Sequence, residues 1–84
     1  MSDEEVRQAV QDAVGEAFDN WATEHPTLAS AIDRMSLTDE LAKSVRDSDE
    51  YRDAVDAYHR GLSQSVFASE LLEIAREVLV RLMS

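Results

Sequence analysis

The segment SQSVFASELLEIAREVLVRLM, from Ser63 to Met83, decides the fold class. No glycine or proline interrupts it, so it can form ~20 helical residues, or ~30 Å, about the width of a small domain. Plotted at about 100° per residue, Phe67, Leu71, Leu72, Ile74, Ala75, Val78, Leu79, Leu82 and Met83 spread over half the circumference. Glu70, Glu73 and Glu77 share the other side. A surface helix needs an apolar stripe only ~100° wide, so this helix is expected to be covered from two directions. Ala68, Leu71, Ala75, Val78 and Leu82 follow steps of three and four, with Leu72 and Leu79 beside them. That is knobs-into-holes spacing over about two heptads, and these seven residues form the expected interface of a homodimer. The competing arrangement is a central core helix in a monomer, for which the middle of the chain looks too short.

Upstream, Tyr51, Val55, Tyr58 and Leu62 mark a helix that Gly61 is placed to stop. The apolar rhythm fails at Asp47-Ser48-Asp49-Glu50, where Asp47 and Glu50 have capping-box spacing and predict a break. Leu37, Leu41 and Val45 define a short helix ending near 46, with Ser36 or Thr38 as its cap. Leu28, Ile32 and Met35 mark another over roughly 27–35. Pro26, the only proline, disfavours helical geometry at His25 and predicts a break at 24–26. The first segment carries Val6, Val10, Val14, Ala17, Phe18 and Trp21 at steps of three and four, a helix over about 4–23 capped by Ser2 or Asp3. Gly15 within it would be explained by close packing. No stretch alternates with the period of a strand. The expectation is an all-α fold, a small bundle of four to five helices with long first and last helices, forming one domain over residues 1–84.

With 84 residues, 44% hydrophobic and 31% charged, the chain has a globular balance despite a net charge of -10. A domain of this length buries only about 60–65% of its unfolded surface, so its core alone leaves little margin. Cysteine is absent, which removes disulfides and thiolate zinc sites as staples and favours an intracellular compartment. Self-association is the remaining common supplement. The acidic start, Met1-Ser2-Asp3-Glu4-Glu5, is unlike a secretory leader, and no apolar run approaches the ~18–20 residues of a membrane span. The expected location is cytoplasmic.

Eighteen acids against eight bases, of which only Lys43 is lysine, repel phosphate backbones and argue against direct nucleic-acid binding. Two readings of the acidity stand side by side: a surface suited to a high-salt cytoplasm or encoded by a GC-rich genome, and a surface suited to a basic protein partner.

Candidate chemistry is thin. Asp47, Asp49 and Asp53 begin like a calcium loop, but Arg52 stands where glycine is needed and Tyr58 where the bidentate glutamate is needed. Asp56 and His59 share helical spacing, as metal ligands sometimes do and as a simple Asp–His surface contact does; a metal needs three or four converging ligands. The serines sit in no nucleophile motif, and two glycines cannot build a phosphate-cradling loop. Asp47-Ser48-Asp49 lacks the leucine or methionine that follows the serine of acyl carrier proteins. Tyr51 and Tyr58, seven apart, do not form the adjacent pair of colicin immunity proteins. No cofactor or catalytic residue is expected. The functional expectation is a non-enzymatic interaction module that self-associates through its C-terminal helix. The alternative is an acidic inhibitor whose carboxylates mimic nucleic-acid phosphates on a basic protein surface.

Overall fold

The computed structural model describes residues 3–83, all-α among those residues: α1 (Asp3–Glu24), α2 (Pro26–Ser30), α3 (Arg34–Arg46), α4 (Asp49–His59) and α5 (Gln64–Met83). The first and last helices are the long ones, as their apolar stripes predict. A cap at Ser2 lies outside the described residues, and Asp3 stands inside the helix rather than before it.

The connections follow from local chemistry. Pro26 opens α2, where its missing N–H costs nothing. The segment 27–35 is not one helix, however. Five residues from Pro26 suffice, none of them buried, and Met35 belongs to α3. The reason is Asp33, whose carboxylate accepts the Met35 backbone N–H at 3.2 Å and the Ser36 hydroxyl at 2.9 Å, starting α3 earlier than a cap at Ser36 or Thr38 would. The Thr38 hydroxyl instead donates back to the Arg34 carbonyl. The break between α3 and α4 lies where the rhythm fails, but Ser48 rather than Asp47 caps α4, its hydroxyl accepting the Tyr51 N–H at 3.2 Å.

Helix α4 stops in a Schellman arrangement: Leu62 N–H donates to the Ala57 carbonyl and Gly61 N–H to that of Tyr58, both at 3.1 Å. Gly61 takes φ +113°, a conformation L side chains avoid. Nothing stands within 4 Å of where a Cβ would go, so backbone strain alone sets the cost of substitution. Gly61→Ala is therefore expected to destabilise by about 1–2 kcal/mol, read as a lower urea midpoint at unchanged slope. Gly15 has no comparable need, since its Cβ would meet only the Arg34 guanidinium at 3.9 Å.

The bundle is a cylinder of 41 × 19 × 19 Å. Grooves between α1 and α5 pair Gln8 and Asp12 with Gln64 and Ala68, and Asn20 and Thr23 with Arg76 and Val80. The two long helices therefore run in the same direction. Helix α3 returns along them, beginning where Arg34 pairs with Asp19 of α1 and lies 5.1 Å over the Phe18 ring. The last turn of α4 meets the first of α5, with the Tyr58 and Phe67 rings stacked at 4.3 Å and 3°. The core runs along the axis through Val10 and Val14 of α1, Leu41 and Val45 of α3, and Phe67, Leu71 and Leu79 of α5.

Candidate functional site

The broad apolar arc of α5 is covered from two directions, and within one chain it is α1, α3 and α4 that pack against it. Of the seven residues expected at a dimer interface, Leu71, Ala75, Val78 and Leu79 are buried in the chain's own core, Leu72 is half-buried, and Ala68 and Leu82 are exposed. The middle helices are thus not too short to flank α5, because α1 supplies the longer cover. Its stripe from Val6 to Trp21 nearly matches α5 in length, and that equality was the available signal.

What the core leaves outside is unevenly distributed. Among the described residues the large exposed hydrophobic side chains are Leu28, Met35, Val66, Val80, Leu82 and Met83, and all of these but Val66 lie at the end of the cylinder where α1 stops and α5 ends. Met35 is 74% exposed and Val80 64%, values typical of polar surface residues. Trp21, half-buried beside them, contacts the Phe18 and His25 rings at 5.9 and 5.4 Å and lines a shallow groove with Leu79, Val80 and Arg76. Its indole adds aromatic area to an end already rich in aliphatic groups. Their spacing alone puts Leu28, Ile32 and Met35 on one helical face; the shorter α2 splits them, leaving Ile32 against the core and the other two in solvent.

Charge is uneven too. The groove between α4 and α5 is lined by Glu50, Asp53, Glu70, Glu73 and Glu77 with no base among them, and that between α1 and α5 by Glu5, Asp12 and Glu16. The apolar end differs: Arg34 pairs with Asp19, Arg81 approaches Glu77 at 3.9 Å, and Arg76 lies in one groove with Glu24. The Arg34 guanidinium holds the Asp19 carboxyl below the usual carboxylate range, chiefly through their hydrogen bond. Eight bases cannot pair eighteen acids, so the flanks of the cylinder keep an uncompensated negative charge. Screening should relieve it, and the melting temperature is expected to rise as sodium chloride increases. A flat or falling trend would show that the acids are locally compensated.

The remaining candidates are brought into structural roles. Asp56 pairs with Arg60 at 3.0 Å rather than with His59. Among the described residues no group of three or more His, Cys, Asp or Glu side chains could hold a metal ion, and no described helix is long and apolar enough to cross a membrane. The Ser30, Ser36 and Ser48 hydroxyls are hydrogen-bonded to nearby backbone or cap groups. Comparison with family models, curated proteins and solved structures finds no match for this chain.

Proposed function

We propose that this protein is a non-enzymatic interaction module that self-associates, and that the contact surface is the apolar end of the bundle rather than the inner face of α5. The observation that carries the reading is the gathering of Leu28, Met35, Val80, Leu82 and Met83 at one end. Exposed large hydrophobic groups scattered singly need no explanation, whereas their concentration marks an interaction surface. A second copy is the occupant that the charge pattern favours. Two molecules of net charge -10 repel along their flanks, and the end, where arginines and carboxylates are nearly balanced, is where like molecules approach at least cost. Val80→Glu combined with Leu82→Glu tests this, because both positions are exposed and the change spares the core. Light scattering after size exclusion should give a dimer for the wild type and a helical monomer for the variant. A variant that still dimerises rejects this surface.

The second reading, an acidic inhibitor of a basic protein, draws on the five carboxylates between α4 and α5. Its expected sign is salt-sensitive capture of a basic protein, lost when Glu70, Glu73 and Glu77 are changed to glutamine. Capture that survives those changes counts against it.

A further inference from the structure

One cleft brings together arginines from two different helices. Between the end of α3 and the outer face of α4 lies an open space of about 500 Å³ whose lining includes Arg46, Tyr51, Arg52, Val55 and His59. Arg52, Val55, Asp56 and His59 stand at helical steps of three and four, so they form one stripe on α4, while Arg46 faces it from the last turn of α3. Asp56 also lines the cleft, but its carboxylate is held by Arg60 at 3.0 Å. Asp53 is the other acid there. Two of the chain's eight Lys and Arg residues, Arg46 and Arg52, therefore line one cleft of a strongly acidic protein. Among the described residues, neither Arg46 nor Arg52 has a carboxylate within ion-pair distance. In a chain with acids in more than twofold excess, partners were abundant.

Part of the cleft lining is apolar or aromatic. Tyr51 and Val55, half-buried and packed against the core, both line it. Burial raises the Tyr51 phenol above its ordinary range, with the Arg46 charge pulling against that rise and Asp3 adding to it, which places the guanidinium within electrostatic reach of the ring. A guanidinium pair beside an aromatic surface is a recognition element for a planar oxyanion: the forks bind the anionic oxygens and the ring covers the apolar body. Charge balance narrows the class. The lining sets Arg46 and Arg52 against Asp53 and Asp56, and Asp3 is close enough to act on Tyr51, so the cleft carries no surplus positive charge and suits a monoanion held by two guanidiniums better than a dianion.

We propose that the α3–α4 cleft binds a small aromatic carboxylate, with Arg46 and Arg52 holding its oxygens and Tyr51 and Val55 contacting its ring. This site is separate from the apolar end and does not depend on self-association. The probe is benzoate, titrated into the full-length chain at constant ionic strength and followed by backbone amide shifts. Fragments of this size bind weakly, so saturation with Kd on the order of a few millimolar is expected, with shifts centred on Arg46, Tyr51, Arg52 and His59. Benzamide, which keeps the ring and lacks the charge, and acetate, which keeps the charge and lacks the ring, should each bind about tenfold more weakly or not at all. Arg46→Gln and Arg52→Gln should each weaken benzoate about tenfold, and both positions are exposed, so the fold should survive. The proposal is overturned if benzoate shifts fail to saturate, if benzamide binds equally well, if phenyl phosphate binds more tightly than benzoate, or if the shifts centre elsewhere. Should either variant lose its helical spectrum, the comparison of benzoate with benzamide on the wild type decides alone.

Discussion

Phe67→Ala should remove about 3–5 kcal/mol of stability, enough to leave the chain partly unfolded without denaturant. A domain of 84 residues has roughly 4–13 kcal/mol to lose. Phe67 is 1% exposed at the first turn of α5, and it meets the Tyr58 ring of α4 face to face at 4.3 Å. Truncation leaves a cavity where three elements converge, and it also removes a stacked pair worth about 0.5–1.5 kcal/mol beyond its buried area. The measurement is a urea titration followed by circular dichroism. Tyr58→Ala, at a half-buried position, should cost less than Phe67→Ala; the reverse order would mean that the α4–α5 corner is held from the tyrosine side.

Leu79→Glu is expected to abolish the cooperative fold. Leu79 is 2% exposed on the α5 face toward α1, and a carboxylate there would be buried without a partner in a chain already carrying eighteen acids. Three residues on, Leu82 is 40% exposed, and Leu82→Glu should change the stability of the single chain by no more than about 0.5 kcal/mol. Thermal melts at low protein concentration, where association does not contribute, provide the comparison. A folded Leu79→Glu protein with a wild-type midpoint would mean that α1 does not cover this face. For the same reason a double change at Leu72 and Leu79 cannot separate dimer from core, because it breaks the core itself.

The helices were legible because their causes are local. Pro26 fixes one boundary, Gly61 another, and the apolar steps from Val6 to Trp21 and from Phe67 to Leu82 define two long faces. Sequence and structure differ where several local solutions compete. Asp33, Ser36 and Thr38 can all cap a helix, and only the corner that brings Arg34 to Asp19 and Phe18 selects Asp33. Which helix covers α5 is a tertiary fact that periodicity does not encode, since an apolar arc is the same whether α1 or a second copy faces it. The apolar end was hidden for a related reason. Leu28 and Met35 read as core residues of one helix, and their exposure follows only once α2 stops at Ser30. The α3–α4 cleft joins residues across a break, Arg46 on one side and Tyr51 and Arg52 on the other, and sequence spacing across a turn does not fix side-chain convergence.

Sedimentation equilibrium of the wild-type chain at near-physiological salt tests the central claim most directly, because it reads mass without reference to shape in a molecule this elongated. Self-association through the apolar end predicts a mass rising with concentration toward twice 9.4 kDa, and reaching it sooner as salt screens the acidic flanks. A mass of 9.4 kDa at every concentration and salt would contradict the account.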